Sequence, residues 1–331
     1  MSALPSRGGL LAVAVAAALV LAIGLAAAGA FGGRDQPVKK TGRPSAAVSS
    51  SSHGAVGYVT AKTFAKTVHP RVADTWGEIR AREFVTGAFQ QYGYFPLTQE
   101  FISGSGATRV HSANIIAVKE GASAKRLIVG AHYDSTLTGE GYADNATGIG
   151  LLLETAARIK PRVTPYTIVF IAFGAEERGL AGSRYYARAM SSLERRATMG
   201  MIDLDAVAGG AQLLVTSRFG GPTWLRDDAL AAAQDLGIPL ETTAADGGRP
   251  AGISLAPSDD LPFALVDFAT AAISSGDPKS RGGAGDGGLW HTRADSVAHI
   301  DKAYPGRVER QLADLSRLLE TLLTSKLETR P

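Results

Sequence analysis

Three apolar runs of this 331-residue chain end on side chains able to hold a metal or move a proton. "RLIVGAHYDS" places His132 and Asp134 directly after its apolar stretch, and Asp144 follows in "DNATG", ahead of the apolar segment 149–159. "TIVFIAFGAEE" ends on the tandem Glu176 and Glu177, and "MIDLDAV" contains Asp203 and Asp205. His291 lies in "WHTRADS", after a glycine-rich stretch. Imidazole and carboxylate are the side chains of general acid–base work and of borderline-metal ligation. So many carboxylates on one dry rim would raise one another's pKa and cost several kcal/mol. A divalent cation removes that conflict. The chain has no cysteine, so neither thiolate ligation nor a disulfide framework is available, and His, Asp and Glu suit zinc or another borderline divalent metal. The set is too large for one tetrahedral zinc with an open position. It suits two metals sharing a bridging carboxylate, about 3.5–4 Å apart.

The elements around these residues explain how they could meet. "LIVGA" and "TIVFIAF" are continuous apolar runs of the kind found in strands covered on both faces. "PLTQEFIS" alternates like a strand, and "NIIAVKEG", "MGMIDLDAV" and "FATAAISSG" read as further strands. Helical spacing marks "ADTWGEIRAREFVTGAFQQYG", the segment after Asp144, and the closing "YPGRVERQLADLSRLLETLLTSKL". Strands alternating with helices predict a three-layer α/β/α sandwich on a mostly parallel, mixed sheet. In such sheets ligands collect at the carboxyl ends of the strands, where His132, Glu176, Glu177 and Asp205 fall. Segment 240–260 and "SSGDPKSRGGAGDGGLW" read as long loops, a common place for function in a compact domain.

Taken singly, each residue has a plainer reading. Asp144 could be only a helix N-cap and Asn145 a turn residue. The tandem Glu could be solvated charge, and His291 a structural histidine. Asp205 inside an apolar run is harder to dismiss, because a buried unpaired carboxylate is costly. Their joint placement at strand ends is what argues for a common site.

"GAHYDS", "DNATG", "FGAEERGLAGS", "MIDLDAVAG", "SDDLPF" and "WHTRADS" resemble, in order and spacing, the co-catalytic di-zinc aminopeptidases of metallopeptidase family 28, the aminopeptidase S type. Twelve residues separate His132 from Asp144, and twenty-eight separate Glu177 from Asp205. The resemblance spans about residues 72–325. It implies that His132 and His291 bind one zinc, Glu177 and Asp205 the other, and Asp144 bridges them. Glu176 is then the general base, Asp134 holds the second nitrogen of His132, and Asp295 supports the loop bearing His291. The implied substrates are peptide or protein N-termini. Two positions depart from the family pattern: Trp290 stands where several members have Tyr, and Asp260 where "SDH" is common. Glutaminyl cyclases share the fold, the tandem Glu and often "WHT", but use one zinc and cyclise N-terminal Gln. A reading of another class is a catalytically inactive, membrane-anchored binding domain.

The bulk numbers agree with a globular enzyme. The chain is 45% apolar and carries a net charge of only +3, with basic residues scattered, so no nucleic-acid footprint is visible. The N-terminus differs. Leu10 to Phe31 is uncharged and rich in Ala, Val and Leu, Arg7 precedes it, and Ala28-Gly29-Ala30 fits a small-x-small cleavage site. At roughly 20 residues the run could also span a bilayer. Residues 1–32 are therefore expected to be a signal peptide or transmembrane anchor, residues 33–56 a Gly/Pro/Ser-rich linker, and residues 57–331 the catalytic domain. The expected location is outside the cytoplasm, secreted or held to the membrane by a single helix.

Overall fold

The computed structural model describes residues 51–218, 220–243, 253–254, 257–276, 289–325 and 327. The apolar run 10–31 and much of the two expected long loops lie outside them. Among the described residues no helix is long and apolar enough to cross a membrane.

The chain opens with two helices, α1 (Ala55–Thr67) and α2 (Trp76–Gln91), and a hairpin of β1 (Leu97–Ser103) and β2 (Val110–Lys119). β3 (Arg126–His132), α3 (Thr147–Ile159) and β4 (Thr167–Phe173) follow. Next come α4 (Ala181–Ala189), α5 (Ser192–Ala197), β5 (Thr198–Leu204), β6 (Gln212–Arg218) and α6 (Trp224–Asp235). Short β7 (Leu240–Glu241), β8 (Ile253–Ser254) and α7 (Leu261–Ala264) lead to β9 (Ala269–Gly276), α8 (Val297–Ala303) and α9 (Arg307–Thr324).

The strands form one open sheet in the order β1-β2-β4-β3-β5-β9-β6-β7, with β8 pairing to β6. Its centre, β4-β3-β5-β9, is parallel, and antiparallel pairs flank it on both sides. Alternate residues of β4 enter opposite cores. Ile168, Phe170 and Ala172 join the core under α1, α2, α3, α6 and α9, while Val169, Ile171 and Phe173 pack with Tyr186, Met190 and Phe263 on the other face. This is the expected three-layer sandwich on a mixed, centrally parallel sheet. From β3 the chain crosses by α3 to β4 on one side, then returns by α4 and α5 to β5 on the other. The crossover order therefore reverses at β3, and a crevice opens outside its carboxyl end. His132 is the last residue of that strand.

Helix α1 is absent from the expected element order, and the structure moves the start of the folded domain ahead of Gly57. The Gly, β-branched and Thr residues of "AVGYVTAKTF" weaken helix propensity. Tertiary contacts override that. Gly57 and Gly150 let α1 lie directly on α3, since a Cβ on Gly150 would sit 2.3 Å from the Gly57 carbonyl. Ahead of the helix, the fully buried Glu154 carboxylate accepts the N–H groups of Gly54 (2.7 Å) and Gly57 (2.6 Å), the Ser316 hydroxyl (2.7 Å) and Arg158 Nε (2.6 Å). Arg158 Nη2 in turn donates to the carbonyls of Ser51 (3.0 Å) and Ser52 (2.7 Å). Residues 51–56, expected to be linker, are thus anchored on a buried ion pair. A chain beginning at Gly57 strips donors and acceptors from that pair. Its domain should be less stable in urea by about 2–3 kcal/mol than one beginning at Ala46. Equal unfolding midpoints would show that the strap contributes nothing.

Candidate metal centre

Each strand end delivers its side chains by a local device. In "DNATG" the chain leaves helical geometry at Asp144 (φ −116°, ψ 90°) and enters α3 three residues later. Asn145 latches this turn to the end of β5. Its Nδ2 donates to the Leu204 carbonyl (2.8 Å), and its Oδ1 accepts the N–H groups of Ala206 (3.2 Å) and Gly148 (3.0 Å). Gly148 is required by that approach, because a Cβ there would lie 2.2 Å from Asn145 Oδ1. After β4, Ala175 takes a left-handed conformation (φ 56°) and turns the chain so that Glu176 and Glu177 open a single helical turn. Ala206 (φ 47°) does the same after Asp205, and His291 is itself left-handed (φ 56°). Non-glycine residues tolerate that region at a cost of about 1–3 kcal/mol, and such strain gathers at functional sites.

The side chains meet in two groups. His132 Nε2 lies 3.1 Å from Asp144 Oδ1 and 3.3 Å from Asp205 Oδ1. His291 Nε2 lies 3.3 Å from Asp144 Oδ2 and 3.0 Å from Glu177 Oε2. In each group the three potential ligand atoms fall within 4.8 Å of one another. Asp144 faces both, one oxygen to each. This pairing differs from the implied one, which put the two histidines together. The reason is topological: β5 neighbours β3 and brings Asp205 to His132, whereas the Glu177 turn faces the loop bearing His291.

The supporting residues also do more than expected. Asp134 Oδ1 faces His132 Nδ1 at 3.6 Å, ion-pair rather than hydrogen-bond distance, and it has a second task. Its oxygens also accept the backbone N–H groups of Glu176 (3.0 Å) and Glu177 (3.2 Å), tying the tandem pair to the β3 loop. The Asp295 carboxylate accepts from the N–H groups of Ala143 (2.6 Å) and Asp144 (3.2 Å), so it holds the shared carboxylate, while its carbonyl accepts from Glu140 (2.8 Å). Trp290 packs, half-buried, against the main core. Asp203, which the resemblance leaves without a role, is fully buried and shares the Ser258 hydroxyl (2.7 Å) with Asp205 (2.9 Å). Asp260 ion-pairs with Arg218, a charge partner that the Asp at the unusual "SDDLPF" position requires. Asp259, missed by sequence reasoning, is fully buried, and neither carboxylate oxygen has a hydrogen-bond partner. Its only sequence signal was the doubled acid ahead of "LPF".

The titration behaviour reflects crowding of acids. Burial pushes Glu176 well above the carboxylate range and Glu177 up to about 7, helped by neighbouring acids. Asp259 is likewise raised by burial to about 7, and Asp203 is raised by burial among Asp260, Asp259 and Asp205. Burial opposes ionisation of Asp144, but the hydrogen bonds from His132 and His291 overcome it and hold that carboxyl well below its usual value. Burial also opposes charging of His132, yet Glu176 and the carboxylates around the ring raise it well above normal. His291 is pushed up to about 9, chiefly by its bond to Asp144.

Each donor group has one imidazole nitrogen and two carboxylate oxygens, a set that fits a zinc ion with open positions. Glu177 turns Oε2 to His291, and its buried Oε1 has no hydrogen-bond partner among the described residues. Fold and donor set together define a class: an α/β/α domain with two adjacent groups of metal-ligating side chains at its carboxyl strand ends. The family model described as peptidase family M28 matches residues 114–316. Aminopeptidase YwaD of Bacillus subtilis is 32% identical over 59% of this chain and 42% of its own length. The alkaline phosphatase isozyme conversion protein of Escherichia coli is 29% identical over 76% of this chain and 85% of its own. Among solved structures, a zinc aminopeptidase from Bacillus subtilis superposes with a TM-score of 0.69 at 18% identity, over 84% of this chain and 97% of that one. Tannerella forsythia glutaminyl cyclase gives 0.66 at 19%, over 82% and 98%. The chain belongs to peptidase family M28. That membership and its aminopeptidase relatives support a metallo-aminopeptidase.

Ligation requires His132, His291 and Glu177 to be deprotonated. Because the His291 pKa is raised to about 9 and that of Glu177 to about 7, protons compete with metal below those values. Zinc affinity should therefore climb as pH rises from about 6 to 9, with net proton release on binding. Titration calorimetry in buffers of different ionisation enthalpy measures this. Affinity independent of pH would contradict the assignment of these ligands.

Proposed function

We propose that the chain is a zinc-dependent aminopeptidase with two metals, one held by His132, Asp144 and Asp205 and the other by Asp144, Glu177 and His291. The observation that carries this reading is the position of Asp144 between both donor groups. Bound zinc would supply Lewis acidity, polarising the scissile carbonyl and acidifying the attacking water. Glu176 is the general base. Its backbone is fixed by Asp134, and its carboxyl, raised by burial, is basic enough to take the water's proton and pass it to the leaving amine. The acid-rich rim suits a free α-ammonium group, which restricts cleavage to the N-terminal residue of a peptide.

Glu176→Gln should retain both zincs and lose turnover by about 10²–10⁴-fold, because it removes proton transfer but no ligand. Glu177→Gln should instead lower the zinc content. Metal analysis beside an assay on aminoacyl-p-nitroanilides separates the two effects, and equal metal loss in both variants would overturn the assignment of the pair. The same assay run on a glutaminyl peptide tests cyclisation. Cyclised product with one zinc per chain would replace the aminopeptidase reading with that of a cyclase.

We further propose that the protein is exported, with residues 1–32 acting as signal peptide or membrane anchor. The uncharged run 10–31 and the site at Ala28-Gly29-Ala30 support this. Cell fractionation should find the enzyme outside the cytoplasm, either free and shortened near Ala30 or in the membrane fraction. Full-length chain in the cytosol would refute export.

A further inference from the structure

Arg71 is a fully buried cation to which the mechanism above gives no task. It is no ligand, and it lies outside the motifs that reveal the family. Its partners are nonetheless specific. Nε donates to the Tyr133 carbonyl (2.9 Å), Nη1 to that of Glu140 (2.8 Å) and Nη2 to that of Gly141 (2.9 Å). Its backbone N–H donates to Ser135 Oγ (3.0 Å), and its carbonyl accepts the Ser135 N–H (3.2 Å). The Phe64 ring lies 4.6 Å from the guanidinium carbon. Gly141 has no side chain where Nη2 arrives, since a Cβ there would be 2.6 Å from it.

Every one of these bonds to the loop falls on the segment joining His132 to Asp144. Tyr133 directly follows the first, and Gly141 comes three residues before the second. One planar group therefore grips both ends of the span between a ligand of the first donor group and the carboxylate shared by both.

We propose that Arg71 is the positioning residue of the metal centre, fixing the separation of His132 and Asp144 by bracing the loop between them. The inference rests on the metallopeptidase reading. A lysine at this position keeps the charge, but its three N–H donors radiate from one nitrogen and cannot span the acceptors that the guanidinium meets separately from Nε, Nη1 and Nη2. The geometry of the brace is thus separable from its charge.

The test compares Arg71→Lys with the wild-type chain and with Leu322→Ala, a core truncation near the end of α9 chosen to lower thermal stability without touching the loop. Zinc stoichiometry and affinity, the visible spectrum of the cobalt-substituted protein, and kcat and KM are read for each. Arg71→Lys is expected to bind zinc about 10–100-fold more weakly, the range seen when a residue that orients a ligand is changed. It should shift the cobalt bands, lower kcat more than it raises KM, and recover activity in excess zinc. Leu322→Ala should lose thermal stability with wild-type metal binding. Ser135→Ala is a milder cut in the same brace that keeps the arginine in place, and it should weaken zinc binding in the same direction. Wild-type affinity and spectrum in both Arg71→Lys and Ser135→Ala overturn the inference. So does an Arg71→Lys variant that only loses thermal stability, as Leu322→Ala does. A wild-type chain that binds no zinc overturns the metallopeptidase reading itself, an outcome distinct from either.

Discussion

One carboxylate facing two imidazoles, Asp144 between His132 and His291, is the contact on which the rest of the structure turns. The two histidines are 159 residues apart in the chain and arrive on unlike supports. His132 ends a central strand and is almost completely buried, whereas the His291 side chain is 56% exposed on a loop. Asp144 can meet both because it sits just ahead of α3, a helix buried along its whole length. The positive end of that helix also favours a carboxylate there. Asn145, Asp295 and Gly148 fix the turn from three sides.

The electrostatics of the rim suit a divalent cation. Two carboxylates about 4 Å apart repel by roughly 4 kcal/mol at an effective dielectric of about 20. Asp144, Asp205, Glu177, Glu176, Asp134 and Asp259 all act on this small volume, against two imidazoles and the buried Arg71. The crowding shows as raised pKa values at Glu176, Glu177, His132 and His291. On the proposed reading, bound zinc would compete with protons for these groups.

Much of this could be read from the sequence, for reasons that differ by element. Central strands such as "TIVFIAF" announce themselves because both faces are buried, and strand ends then locate His132, Glu176, Glu177 and Asp205. Helix α1 stayed hidden because its propensity is weak and its stability comes from Gly57 against Gly150 and from the distant Glu154. Which side chains group together depends on strand order, and only the adjacency of β5 to β3 shows that Asp205 lies beside His132. The second task of Asp134 is hidden for a similar reason, since the backbone N–H groups of a neighbouring turn leave no mark in the sequence. Arg71 and Asp259 act through burial, which a single arginine or a doubled aspartate does not advertise.

The central claim is that Asp144 is shared by two metals, and anomalous diffraction at the zinc edge tests it most directly. Crystals of the zinc-loaded protein should show two anomalous peaks about 3.5–4 Å apart. One should lie against His132 and Asp205 and the other against Glu177 and His291, with an oxygen of Asp144 on each. A single peak, or one ion ligated by both histidines, would contradict it.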